Sequence, residues 1–241
     1  MSWQHRALDR YYDRSRGFVD GTEEFHRLCA ATIPERSLIL EIGAGPSNPT
    51  SDFLAARGVL TGLDVDAAVA GNRALTRFAV FGGERFPFDD ASFDACVSNY
   101  VAEHVPVPSI HLEEVERVLR PGGAYVLRTP NRYHYVAVVA GLTPHWFHGL
   151  VANRLRKLPV DAHPPYPTVY AMNSPGRLQR LARAAHLNVE VLRMIEKEPM
   201  YGLASRLTFY PFLAYERLVN SGEWLAGLRA NMLAVLIKPR G

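Results

Sequence analysis

Short apolar runs and amphipathic segments alternate along the first half of the chain. Residues 37–42 (Ser-Leu-Ile-Leu-Glu-Ile) are nearly continuous in apolar side chains, as a strand buried on both faces requires. Similar runs at 59–63, 77–81, 95–98 and 124–129 predict four more strands. Between them the spacing turns helical. Residues 22–31 place Phe25, Leu28 and Cys29 on one side, and 49–57, 67–75 and 110–119 read as further helices. Asn48 is a candidate N-cap with Pro49 in the first turn, and Gly58 a candidate stop. Arg120-Pro121-Gly122-Gly123 reads as the turn that enters the fifth strand.

The pattern breaks after Pro130. Residues 131–170 are dense in His, Pro, Trp, Tyr and Arg with weak periodicity, and regularity resumes with a helix at 174–185 and strands at 188–194 and 232–238. Strands joined by crossover helices imply an α/β fold: a seven-stranded, mostly parallel sheet with helices on both faces. We expect one domain over 1–241, an N-terminal flap over 1–21, and a substrate-covering lid inserted after the fifth strand at 131–170.

Composition changes this picture little. The 241 residues are 48% hydrophobic and 21% charged, with a formal net charge of +3, too small to argue for nucleic acid. Cys29 and Cys96 fall in an apolar helix face and a buried strand, where core packing is the expected role. The N-terminal segment lacks a signal-type apolar run and no stretch approaches a membrane span, so a cytoplasmic protein is expected.

The chemistry gathers at strand ends. Gly43-Ala44-Gly45 follows the first strand and lets the backbone turn sharply beside a ligand. A dinucleotide fingerprint would need a third glycine where Asn48 stands, which argues against NAD or FAD. Asp64 ends the second strand 21 residues after Gly43, at the position of a carboxylate that accepts from ribose hydroxyls. The third strand leads into Gly82-Gly83-Glu84, and the fourth ends in Ser98-Asn99-Tyr100. Consecutive strand ends of an open α/β sheet converge on one crevice.

With these residues in place, the chain resembles the class I S-adenosylmethionine-dependent methyltransferases, in the branch with small-molecule and quinone-type methylases and a Rossmann-like sheet. The resemblance rests on Glu41 through Gly45, Leu63-Asp64, Phe86-Pro87-Phe88 with Ser92-Phe93-Asp94, Val101 through Val105, and Glu113 through Gly123. It implies S-adenosylmethionine as cofactor and S-adenosylhomocysteine as product. Glu41 and the backbone of Gly43, Ala44 and Gly45 would face the methionine part, Asp64 the ribose, Val65 the adenine, Gly83 and Glu84 the adenine edge, and Asn99 the pocket floor. The family often has an acidic residue where Gly82 stands, so Glu84 or a backbone carbonyl would take over that contact. Tyr12 is a candidate to reach the methionine carboxylate from the flap.

Methyl transfer is an in-line displacement, so placement of the acceptor dominates and a general base adds to it. His134 and His148 are the candidate bases, and His104, His145 and Trp146 the candidate acceptor contacts. Packing or capping roles are open for each histidine. No carboxylate or Cys lies near them at ligand spacing, so no metal is expected. The aromatic, basic stretch 144–158 suits a lid helix or peripheral contact with a membrane, and a hydrophobic or aromatic small-molecule acceptor. O-methylation is the leading reaction. C- or N-methylation, and a cofactor-binding homologue that cyclises or regulates without methylating, are the alternatives. No nucleic-acid partner is expected, and neither the acceptor nor the oligomeric state is fixed by the sequence.

Overall fold

The computed structural model describes residues 2–82, 85–142 and 166–240. The helices in chain order are α1 (Trp3–Tyr11), α2 (Gly21–Thr32), α3 (Pro49–Ala55), α4 (Pro108–Val118), α5 (Tyr135–Leu142), α6 (Pro175–Ala184) and α7 (Arg206–Val219). The strands are β1 (Ser37–Ile42), β2 (Gly58–Asp64), β3 (Arg77–Val80), β4 (Phe93–Asn99), β5 (Leu119–Pro130), β6 (Asn188–Ile195) and β7 (Asn231–Ile237). The chain divides into two compact units. One comprises Phe25–Pro130, Pro167–Arg193 and Met232–Gly241, the other Met1–Glu24, Asn131–Tyr166 and Met194–Asn231.

The first unit is built on a seven-stranded sheet of order β3-β2-β1-β4-β5-β7-β6. The pairings from β3 through β5 are parallel. β1 lies in the interior of the sheet, between β2 and β4, as its apolar side chains require cover on both faces, and Ile39 and Leu40 are wholly buried. The chain runs outward from β1 to β2 and β3, then returns to lay β4 on the other side of β1. That reversal is the switch point at which such sheets open a crevice. Ile42 of β1 faces Leu63 of β2 and Ser98 of β4, so the loops after all three strands leave the sheet side by side.

Local chemistry moved several boundaries. The helix expected at 49–57 ends earlier, with Ala56 as its cap, and Gly58 opens β2 instead of stopping the helix. A Cβ at Gly58 would lie 2.0 Å from the Ser37 carbonyl oxygen, so close strand approach is what requires glycine there. The helix expected at 67–75 is only a short 3-10 turn, Ala67–Gly71, capped by Asp66. The next residue, Asn72, is buried and donates to Ala44 O and Ser51 Oγ, which ends the turn. The Arg120–Gly123 turn forms a bulge inside β5. Phe93 pairs Leu119 while Ala95 pairs Ala124, and Gly122 takes φ +81°. Cys29 and Cys96 are free and buried, and burial raises both thiol pKa values.

The second unit is mainly helical among its described residues. α1 is capped by Ser2, and Trp3 and Tyr11 set their rings 6.1 and 6.0 Å from Phe209 of α7. The N-terminal segment read as a flap thus contains a helix. α7 was hidden in sequence by Pro211 within it. A Ser205–Thr208 capping box starts it, and Phe209, Glu216 and Val219 are its buried residues. Arg229 is buried, with Nε donating to Val219 O at 3.0 Å and Nη1 to Met194 O at 3.1 Å. Among the described residues no helix is long and apolar enough to cross a membrane.

Candidate functional site

The loop after β1 is held open by its neighbours. Gly43 and Gly45 both adopt positive φ, +71° and +54°. A Cβ on Gly43 would meet Val101 Cγ2 at 2.3 Å, so this glycine is fixed both by conformation and by the chain that follows β4. Gly43 N–H donates to Leu63 O at 2.7 Å, and Gly45 N–H to Asp64 Oδ2 at 2.8 Å. The other carboxylate oxygen of Asp64 accepts from Asp66 N–H at 2.8 Å. Each oxygen retains a lone pair for a further donor.

Behind the loop lies a buried polar cluster that starts at α3. Asn48 caps that helix, its Oδ1 accepting from the Thr50 and Ser51 amides at 2.9 and 3.0 Å. Its Nδ2 donates to Ala44 O and to Ser51 Oγ, each at 2.8 Å, and Asn72 Nδ2 donates to the same hydroxyl at 2.9 Å. Ser51 Oγ in turn donates to Glu41 Oε2 at 2.7 Å. Glu41 is 3% exposed. Burial pushes its carboxyl up to about 7, partly opposed by the Ser51 bond and reinforced by Asp64 and Asp52. The strand-end carboxyl therefore sits poised between neutral and ionised near physiological pH.

A second chain of contacts fixes the end of β4. Asn99 Oδ1 accepts from Arg128 Nε at 2.7 Å, and Asn99 Nδ2 donates to Thr50 Oγ1 at 3.2 Å. Thr50 Oγ1 also meets His26 Nε2 at 3.2 Å, and the His26 ring stacks on Phe53 at 4.3 Å. Arg128 is buried at the end of β5, its guanidinium 4.6 Å from the Tyr100 ring centroid and 5.3 Å from that of Phe25. Tyr100 has φ +60° and donates its amide to Arg128 O at 2.9 Å.

The loop after β3 is anchored from α4. Glu114 Oε2 accepts from Phe86 N–H at 2.7 Å, while Arg117 binds Glu114, Asp90 and the carbonyls of Phe86 and Phe88. At the other end of the sheet Asp94 accepts from Leu38 N–H and from Arg120 Nη1, both at 2.8 Å. The Phe-Pro-Phe residues that carried the resemblance thus stand in the loop after β3, while Ser92-Phe93-Asp94 fix the opposite end of the sheet.

The structure brings Glu41, Gly43, Ala44, Gly45, Asp64 and Asn99 into one linked set at adjacent strand ends. Val65 follows Asp64 with 58% of its surface exposed, an apolar patch beside the carboxylate. Gly82 has open space where a side chain would stand. His104 stands apart: its Nδ1 pairs with Pro167 O at 3.0 Å, and its neighbour Glu103 is buried, bonded to Thr129 Oγ1 at 3.0 Å and pushed upward in pKa by that burial. Gly83, Glu84, His145, Trp146 and His148 lie outside the described residues, as does stretch 144–158.

Tyr12 and His134 belong to the other unit. The Tyr12 ring is buried and its hydroxyl donates to Glu216 Oε2 at 3.2 Å; burial first, then Glu216, raises its pKa. His134 is 5% exposed and packs against Tyr135 and Tyr215. Its Nε2 makes no hydrogen bond and lies 3.5 Å from Glu196 Oε2. Burial lowers the imidazole to about 4 and raises Glu196 to about 8, so both are neutral at pH 7.

Sequence reasoning missed Thr50, Ser51, Asn72 and Arg128. Arg128 left a trace, a charge interrupting the apolar run at the end of the fifth strand. Asn72 left none, because it acts through a loop far from it in sequence.

Residues 40–127 match the methyltransferase domain family. An uncharacterized methyltransferase of Mycobacteroides abscessus is 37% identical over 139 residues, covering 53% of this chain and 52% of that protein. The chain thus spans about half the length of the curated relatives it matches. Among solved structures, the geranyl diphosphate C-methyltransferase of Streptomyces coelicolor, in complex with S-adenosylhomocysteine, superposes with a TM-score of 0.56 at 18% identity, over 90% of this chain and 76% of that one. The 4+2 cyclase SpnF gives 0.57 at 17%, over 90% and 82%. At such identities these likenesses show the fold alone. The domain match and the curated relatives agree that residues 40–127 carry a methyltransferase domain, here set on the seven-stranded sheet.

Proposed function

We propose that the protein binds S-adenosylmethionine at the ends of β1, β2 and β4 and transfers its methyl group to a hydrophobic or aromatic small molecule, most simply to oxygen. One observation carries the reading: a buried carboxyl, Glu41, and a loop with glycines at Gly43 and Gly45 stand beside Asp64 at the switch point. The residues suit the cofactor. Glu41 offers a negative charge to a cationic methionine part, Asp64 keeps lone pairs for ribose hydroxyls, and exposed Val65 offers an apolar surface to a flat ring.

When bound, the cofactor supplies an electrophilic methyl group on a sulfonium. The protein's own contribution is placement. Gly43 to Gly45 and Asn99 are fixed by the Ser51–Asn48–Asn72 and Thr50–Arg128 contacts, so little freedom remains to be lost on binding. Orientation of this kind can lower a barrier by about 7–11 kcal/mol, against ~10²–10⁴-fold for a base. His134 and His148 are the proposed proton acceptors. His134 is held neutral with Nε2 unbonded, which is the form an acceptor needs, although a group near 4 is a weak base. His104, His145 and Trp146 are proposed acceptor contacts, and Tyr12 a cofactor contact. The acceptor class rests on the apolar and aromatic residues of 131–170 and 200–215. A cytoplasmic location belongs to the same reading.

Calorimetric titration with S-adenosylmethionine and S-adenosylhomocysteine, with NAD as control, tests the cofactor. Binding weakened by Asp64→Ala supports it, and a preference for NAD refutes it. Product mass then separates methylation from cyclisation.

A further inference from the structure

The outer face of α7 is apolar along its whole length. Leu207, Tyr210, Pro211, Ala214 and Leu218 recur at helical spacing and are all exposed. Leu207 is 88% exposed, Leu218 57% and Tyr210 53%, and Trp224 on the following turn is 82% exposed. Scattered apolar residues on a surface need no explanation, but a continuous stripe over a fourteen-residue helix does.

The charge beside the stripe is predominantly positive. Arg206 and Arg217 border it on α7, and α1 lies against α7 through the Trp3 and Tyr11 contacts with Phe209, presenting Arg6 and Arg10. Arg217 Nη2 donates to Tyr11 O at 3.3 Å, tying the two helices together on that side. Against these four exposed arginines stand Asp9 on α1 and Glu223 beside Trp224, while buried Glu216 pairs with both the Tyr12 hydroxyl and Arg217 Nε.

We propose that this face docks on an anionic lipid surface, with the Leu207–Leu218 stripe entering the acyl boundary and the four arginines reaching the headgroups. An amphipathic helix with an apolar stripe, an aromatic at its end and arginines at its border is the form that lies in a bilayer interface. A second copy of the chain fits less well, because pairing this face with itself would set arginines against arginines. The surface is separate in sequence from stretch 144–158.

The test is co-sedimentation of the full chain with vesicles of phosphatidylcholine alone and of phosphatidylcholine containing about a quarter phosphatidylglycerol. Binding should require the anionic lipid and weaken sharply in about 0.5 M salt. Leu207→Glu with Leu218→Glu should reduce it about tenfold or more, and Arg206→Gln with Arg217→Gln should flatten the salt dependence. If the double Glu variant loses its thermal transition, Leu207→Ser alone makes the same test at the most exposed position. Equal binding to neutral and anionic vesicles, no binding, or unaltered binding by the variants overturns the proposal. So does a dimer, seen by light scattering, that the Glu substitutions dissociate.

Discussion

Replacing Glu41 by Gln should make the free protein more stable at neutral and alkaline pH while weakening the proposed binding of S-adenosylmethionine. Burial raises this carboxyl from 4.5 to about 7. Below pH 4.5 it is protonated in folded and unfolded chains alike and contributes nothing. Between 4.5 and 7 the unfolded chain loses its proton first, so rising pH favours unfolding. Above about 7 the folded carboxyl ionises too, and the cost levels off. At about 1.4 kcal/mol per pKa unit the full cost is roughly 3 kcal/mol, of which about 1 is felt at pH 5.

Gln keeps the shape and an oxygen for the Ser51 hydroxyl but has no charge to desolvate. Its advantage should therefore grow from pH 5 to pH 8, reaching roughly 6–12 °C in melting temperature for a chain of this size. Cofactor affinity should move the other way, by about ten- to a hundredfold, through loss of a charge-assisted contact. Parallel thermal melts of the two proteins at pH 5, 6.5 and 8, with calorimetry on the same samples, read both effects. A variant equally or less stable than wild type at pH 8 refutes the burial argument. A more stable variant with unchanged affinity refutes the assignment of Glu41 to the cofactor.

Gly43→Ala forces a Cβ to 2.3 Å from Val101 Cγ2 at a positive φ; it should cost roughly 2–3 kcal/mol by denaturant melts and abolish cofactor binding, with partial recovery of stability on adding Val101→Ala. Arg128→Lys keeps the charge but loses the planar stacking between Tyr100 and Phe25 and the Nε bond to Asn99. Cofactor Kd should rise about tenfold, and its effect should be non-additive with Asn99→Ala in a double-mutant cycle. Arg117 holds the Glu114 carboxyl below its ordinary 4.5, so that pair stabilises the Phe86–Phe88 loop at neutral pH and is lost as pH falls below that value. Glu114→Gln should lower the melting temperature at pH 7 and leave it little changed near pH 3.

The parts legible in sequence were those in which one residue's environment is set by its neighbours along the chain. The apolar run at 37–42, the Asn48-Pro49 helix start and the glycine loop each declare a local geometry, and each stands where that geometry was expected. The illegible parts depend on partners far away. Gly58 looked like a helix stop because its true constraint, the Ser37 carbonyl on the next strand, is twenty-one positions distant. Asn72 broke an expected helix by reaching back to Ala44 and Ser51. α7 hid behind Pro211, and its outward stripe gave no core-facing period to read because Phe209 packs against residues of the N-terminal helix. The same distinction separates the two ends of the proposed chemistry. A cofactor of fixed structure is held by backbone and carboxylates at strand ends, which a topology places automatically. An acceptor is held by side chains whose mutual positions depend on tertiary packing, and for such groups composition alone narrows the class without selecting the molecule.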